Sequence, residues 1–171
     1  TVAITGTVTA PPSPTLSVTP LSLTGFTYAQ GSGPSTNQTI SVSGSALTAG
    51  QNVTVTAPSG YEVSLSASTG FGSSVSIMNT AGGTLASTTV YVRLAAGLPQ
   101  STSVNGNIVI SGGGAAGSPS VTLTGSVSAP PSAALGVSVT SVTGFSYIFG
   151  SGPSTTKMVD VSGTLLTAGV A

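Results

Sequence analysis

Short stretches of alternating apolar and polar residues recur along the chain, separated by Gly, Pro, Ser and Asn. Val53 and Val55 alternate with Thr54 and Thr56. Val90, Val92 and Leu94 alternate with Tyr91 and Arg93, and Tyr61, Val63 and Leu65 alternate with Glu62 and Ser64. Val121, Leu123 and Val127 share one face, interrupted at Gly125. A period of two buries one face of a strand and wets the other. The pattern predicts strands at Thr15–Thr19, Leu23–Tyr28, Gln38–Ser43, Asn52–Thr56, Tyr61–Ser66, Ser74–Met78, Thr88–Leu94, Asn105–Ser111 and Ser120–Val127. No stretch offers a capped helical pattern. Nine short strands with regular turn signals predict an all-β fold, an immunoglobulin-like β-sandwich.

The chain also repeats itself. Val121 to Pro131 restates Val2 to Pro12, an offset of 119 residues. The same offset carries Thr24-Gly25-Phe26 onto Thr143-Gly144-Phe145, Tyr28 onto Tyr147, and Gly31 to Thr36 onto Gly150 to Thr155. It also carries Leu47-Thr48-Ala49-Gly50 onto Leu166 to Gly169. Without gaps, 28 of the first 52 residues are identical to their counterparts in 120–171. Self-similarity at a fixed period is the mark of a tandem array. The expected organisation is 1–9 as the last strand of a preceding repeat, 10–14 as a Pro-rich linker and 15–127 as a complete module. A second linker, 128–133, then leads to 134–171, the first part of the next module. Each Pro-Pro pair makes the linker a short, stiff spacer, because it fixes extended backbone and donates no amide hydrogen bond. A module of this length buries enough surface to fold alone, and the shorter opening segment does not.

Composition narrows the chemistry sharply. Only Glu62, Arg93, Lys157 and Asp160 are charged, 2% of the 171 residues, against about 25% in an ordinary domain. About a third of the chain is Ser or Thr, and there is no His, Cys or Trp. That inventory supplies no thiolate, no imidazole base, no disulfide and no zinc site of the usual ligand types. Two carboxylates do not build a calcium cage, so no metal and no cofactor is expected. Two basic residues leave no footprint for nucleic acid. The mean hydropathy of +0.48 reflects strand formers rather than a membrane segment, since no apolar run reaches ~18 residues. An enzyme is not expected.

The remaining candidates each have a plain alternative. Glu62 and Arg93 are the only charges in 15–127 and both face away from the core side of their strands. A cross-strand ion pair satisfies both; solvated single charges and a ligand site are the other readings. Lys157 and Asp160 stand where the first copy has Gln38 and Ser41, as surface positions do. Gly112-Gly113-Gly114 and Gly31-Ser32-Gly33 precede neither a helix nor a Lys, so they read as turns rather than phosphate cradles. Phe26, Tyr28, Tyr61, Phe71 and Tyr91 read as core before they read as a sugar platform. Asn37-Gln38-Thr39 and Asn52-Val53-Thr54 fit the N-glycosylation sequon, though O-glycans on the many hydroxyls are the better expectation. The Thr54/Thr56 run is too short for an ice-matching array. An intramodule Lys–Asn isopeptide is excluded, because 15–127 contains no Lys.

Several segments together resemble a known repeat. Ala57-Pro58-Ser59-Gly60-Tyr61-Glu62-Val63-Ser64 resembles an "AP-x-G-[FY]-E-V-S" signature, and Val90-Tyr91-Val92-Arg93-Leu94 a "V-x-V-R-F" strand. Gly106 to Ser111 resembles "G-x-I-x-[IV]-S", and Val121 to Gly125 a closing "V-x-L-x-G". Ser41-Val42-Ser43-Gly44 with Leu47 fits an early "x-V-x-G-x-x-L". The order and spacing are similar to those of Ig-like repeats abundant in very large secreted and surface proteins of Bacteroidota-type bacteria. The resemblance implies an extracellular location and a non-catalytic structural repeat of a fibre, stalk or adhesin. Its partners are neighbouring repeats or copies of itself. Two further functions fit the residues: a filament subunit whose open module is completed by strand addition, and a module that binds surface glycans.

Overall fold

The structure is a computed structural model that describes residues 1–79, 81 and 83–166. The described residues contain eleven strands and no helix: β1 Thr15–Thr19, β2 Ser22–Ala29, β3 Gln38–Leu47, β4 Val53–Thr56, β5 Tyr61–Ser64, β6 Ser74–Ile77, β7 Gly83–Leu94, β8 Ser101–Gly112, β9 Ser120–Ser128, β10 Ala134–Val137 and β11 Val161–Thr164. Two units separate, Thr1–Ala129 and Pro130–Ala171.

In the first unit, β1-β3-β7-β5 form a four-stranded sheet and β2-β9-β8-β4-β6 a five-stranded one. β2 lies parallel to β9; every other pairing is antiparallel. The chain passes from one sheet to the other between β1 and β2 through Pro20-Leu21, where proline supplies no ladder donor. Ile40, Val42, Val90, Val92 and Leu94 of the first sheet and Val53, Val55, Ile108, Ile110, Val121 and Leu123 of the second join one buried cluster. Burying each such side chain is worth about 1.5–3 kcal/mol. The arrangement is all-β and sandwich-like. Phe26 and Tyr61 close the cluster edge to face, with ring centroids 5.3 Å apart at 79°.

The β-branched alternation marked the right faces: Val53, Val55, Val90, Val92, Leu94, Val121, Leu123 and Val127 are all buried. One face assignment is corrected. Leu65 is 46% exposed and Ser64 is buried, because β5 stops at Ser64. There the Ser64 hydroxyl donates to the Thr69 carbonyl at 2.5 Å and accepts the Ser66 amide at 2.9 Å. A side chain bonded to the backbone this way starts a turn instead of continuing a ladder.

Gly125 marks the most crowded point of the five-stranded sheet. It pairs with Phe26 on β2 and with Val104 on β8, next to irregularities in both ladders. A Cβ at Gly125 would stand 2.8 Å from the Phe26 carbonyl oxygen, 2.8 Å from Tyr61 Oη and 3.0 Å from Leu94 Cδ1. Only glycine fits between these strands.

Residues 1–14 form no strand, and Val2, Ile4 and Val8 are exposed. In the second unit β10 pairs with β11, Ala134 opposite Thr164 and Val137 opposite Val161. β1 and β3 pair with Thr15 opposite Ser45 and Val18 opposite Val42, the same register 119 residues earlier. The correspondence extends to the backbone. Ala46 and Leu165, 119 apart, both have φ of 55°, and the turn from Ser32 N to Ala29 O returns as Ser151 N to Ile148 O, each at 2.8 Å. Burial does not follow: Phe26 is 2% exposed and Phe145 56%, Tyr28 9% and Tyr147 65%. The part of the Leu166 to Gly169 match beyond residue 166 lies outside the described residues.

Candidate functional site

The charged side chains of the first unit meet on the outer face of the four-stranded sheet. β5 and β7 set Glu62 directly opposite Arg93. Arg93 donates from Nε at 3.0 Å and from Nη2 at 2.9 Å to a single oxygen, Glu62 Oε2. The other side of the guanidinium faces Phe71, with its central carbon 3.7 Å from the ring centroid. Phe71 comes from the β5–β6 loop. The loop is held by the Ser64 turn and by a two-way bridge in which Val63 N donates to Gly72 O at 2.8 Å and Gly72 N to Val63 O at 3.0 Å.

The group is a clasp: carboxylate, guanidinium and ring fasten the loop to the sheet. The two side chains remain 24% and 29% exposed, so solvent screens the pair and its contribution is about 1 kcal/mol or less. Chemically it consists of one carboxylate already neutralised by its neighbour, and general acid–base work needs a second titrating group within reach. Sequence reading placed Phe71 among the core aromatics; the structure puts it half-buried over the guanidinium instead. It lies in a loop without periodicity, and Arg93, next to last in β7, gives no hint of a ring above it.

The buried aromatics form a second cluster. Tyr61 donates to the Val104 carbonyl at 2.8 Å. Tyr28 donates to the Ala95 carbonyl at 2.7 Å and accepts the Leu98 amide at 3.1 Å. Their rings belong to the core and their hydroxyls tie down the chain after β7, the usual use of a buried phenol. Phe71 and Tyr91 are only half-buried. Burial pushes the Tyr61 phenol from 10.0 up to about 12. An acid whose folded pKa is raised keeps its stabilising effect below the unfolded value of about 10 and loses it as pH rises through the folded value. Thermal stability of the parent is therefore expected to fall between pH 10 and 12. Tyr61→Phe loses less across that interval, which melting curves of both proteins at stepped pH will show.

The sequon residues sit at exposed positions with their amides engaged. Asn37 Nδ2 donates to the Ala67 carbonyl at 2.6 Å, and Asn52 Oδ1 accepts the Asn79 amide at 3.3 Å. Asn79, unnoticed in the sequence, is buried and donates from Nδ2 to the Thr48 carbonyl at 3.0 Å, pinning the turn before β4 to the end of β6. Lys157 and Asp160 are exposed in the second unit. Asp160 serves the β10–β11 hairpin through its backbone, donating to Ser138 Oγ at 2.9 Å and accepting the Ser138 amide at 2.9 Å.

The surface depressions are shallow. One, over the glycine crossing, sets the polar side chains of Thr27, Ser103, Asn105, Thr124 and Ser126 beside Phe26, Gly25 and Gly125, with no charged residue. Among the described residues no three His, Cys, Asp or Glu side chains gather, and no helix is long and apolar enough to cross a membrane. No protein-family model matches the chain, and no curated protein matches it.

Proposed function

We propose that the chain is a segment of a tandem array of immunoglobulin-like β-sandwich modules with a period of 119 residues. Its work is that of a non-catalytic structural repeat in an extracellular bacterial fibre, stalk or adhesin. The observation that carries this reading is the pairing of β10 with β11 in the register of β1 with β3, 119 residues on. Two stretches of one chain that share 28 of 52 residues and fold into the same hairpin are best explained as copies of one module.

The sheet pattern supports the immunoglobulin-like part. A four-stranded sheet faces a five-stranded one, and the first strand is divided between them, β1 antiparallel to β3 and β2 parallel to β9. The strand order departs from the common pattern at β5, which leaves the β4–β6 pair to join the opposite sheet and returns.

Surface chemistry supports a mechanical role outside the cell. The outward positions of β1, β3, β4 and β6 are mainly hydroxyls, such as Thr15, Ser43, Thr54 and Ser76. The two trypsin-sensitive residues are Arg93, half-buried in its clasp, and Lys157. The linkers around Pro11-Pro12 and Pro130-Pro131 act as stiff spacers between modules. In this reading the charges of the module neutralise one another for structure and no residue performs catalysis.

The test is the denatured mass of the native polypeptide, read together with labelling of intact cells by a membrane-impermeant reagent. The expected mass exceeds 16.2 kDa by steps near one 119-residue period, on a chain that is labelled from outside. A chain of 16.2 kDa found inside the cell would remove the array reading.

A further inference from the structure

We propose that the parallel β2–β9 ladder is a shear clamp, the part of the module that resists a pull along the chain, with the glycine crossing at position 125 as its stop. This rests on the array reading above for the pull and adds the strands that bear it.

Topology decides how a pull is felt. β2 and β9 run in the same direction, with Ser22 opposite Thr122 at one end and Ala29 opposite Ser128 at the other. The chain enters β2 from β1 through Pro20-Leu21 and leaves β9 at Ser128, so entry and exit lie at opposite ends of one ladder. A pull between the two linkers therefore slides β2 and β9 past each other lengthwise. The hydrogen bonds of a parallel pair are evenly spaced, so sliding strains them together, whereas peeling from one end breaks them in turn. Both ends of the ladder are tied: Thr122 N donates to Leu21 O at 3.0 Å and Gln30 N to Ser128 O at 2.9 Å. β1, ahead of β2 in the path, buries Leu16 and Val18 only in part.

Side chains oppose the same slide. β2 sinks Leu23, Phe26 and Tyr28 into the core, and β9 sinks Val121, Leu123 and Val127. The Tyr28 hydroxyl also holds the Ala95 carbonyl and the Leu98 amide, anchoring the end of β2 to the chain after β7. Gly125 adds a stop. Drawing β9 toward its C-terminus brings Leu123, the preceding side chain on the same face, to a place that admits only glycine. There the Phe26 carbonyl, Tyr61 Oη and Leu94 Cδ1 already crowd the position of a single Cβ.

Because the chain has no cysteine, handles for single-molecule pulling can be placed freely on the full-length protein. Ser13→Cys with Ala129→Cys applies the pull of the array. Gln30→Cys with Ala129→Cys grips both strands at the same end and peels the ladder. At one pulling speed the expected unfolding force is at least about twofold higher for the 13/129 pair than for the 30/129 pair. Gln30→Pro probes the ladder itself. Gln30 precedes Gly31, φ 88°, in a turn closed by Ser32 N to Ala29 O at 2.8 Å, and such a turn accepts proline at this place. The substitution thus removes the bond to Ser128 while keeping the turn. Pulled at 13/129, Gln30→Pro is expected to lower the force with the urea midpoint nearly unchanged. Val55→Ala, in the core on β4, which pairs with β6 and β8, is expected to lower the midpoint with the force nearly unchanged. Forced unfolding follows the unfolding barrier, and contacts still intact at the barrier do not set its height. Equal forces in the two directions, or a force that follows the urea midpoint instead of the ladder bond, would overturn the clamp. Neither result alters the native mass, so failure here is distinct from failure of the array reading.

Discussion

Gly125→Ala is expected to destabilise the first unit by about 3 kcal/mol, the upper end for an overpacked site, and Gly125→Val by more. The atoms around this position have no direction in which to retreat. The Phe26 carbonyl belongs to the β2 backbone paired with β9, and the Tyr61 hydroxyl is held by the Val104 carbonyl. Leu94 is fully buried. A Cβ 2.8 Å from two oxygens forces the strands apart or turns Tyr61 out of the core. Moving Tyr61 would also break its edge-to-face contact with Phe26. Since a domain of this size holds on the order of 5–15 kcal/mol, the valine variant approaches complete unfolding. Urea unfolding of the full chain reads the effect. Gly6→Val, at the same place in the other copy, is expected to leave the midpoint unchanged, and equal losses at positions 6 and 125 would contradict the account.

The second large effect also compares equivalent positions. Phe26→Ala is expected to cost about 3–5 kcal/mol, because it leaves a ring-sized cavity beneath β9 next to Tyr61. Phe145→Ala should change stability by less than about 0.5 kcal/mol, the range of an exposed substitution. The same residue type in the same local sequence matters only where strands like β7, β8 and β9 cover it. Denaturant unfolding of both variants separates the contribution of local sequence from that of its cover.

These contrasts show what could be read before folding and what could not. Strands with dense β-branched alternation were legible to within a residue or two: β1 was predicted at its observed bounds, and β4 and β9 differ only at an end. Their faces followed as well, since a period of two leaves a single choice. β7 and β8 begin earlier than alternation indicates, at Gly83 and Ser101 instead of Thr88 and Asn105. The added residues are Ser-, Thr- and Gly-rich, and their strand conformation comes from pairing with β3 and β9 across register shifts. No local signal encodes that. Which strands share a sheet was equally hidden, because hydrophobic pattern tells which face is buried but not which neighbour lies alongside.

Around the clasp, the alternation put Glu62 and Arg93 on outer faces, and the β5–β7 register sets them opposite each other. Phe71 had no such pattern to betray it. The turn at Ser64 overrode an apolar period that continued through Leu65, since a hydroxyl bonded to the backbone outweighed one leucine's burial. Asn79 was invisible for a related reason: its role depends on two turns, near Thr48 and Asn52, that are distant in sequence.

The array reading itself can be tested by giving the second copy the strands it would share with the first. Residue 171 corresponds to residue 52, so the full chain followed by residues 53–128 of the same sequence restores all nine strands to the second unit. Unfolding enthalpy grows with the number of ordered residues, so calorimetry of this lengthened chain reads the outcome directly. The account predicts an unfolding enthalpy close to twice that of the 171-residue chain, with Phe145→Ala now costing about as much as Phe26→Ala. An enthalpy that stays at the value of one module, with Phe145→Ala still silent, would contradict it.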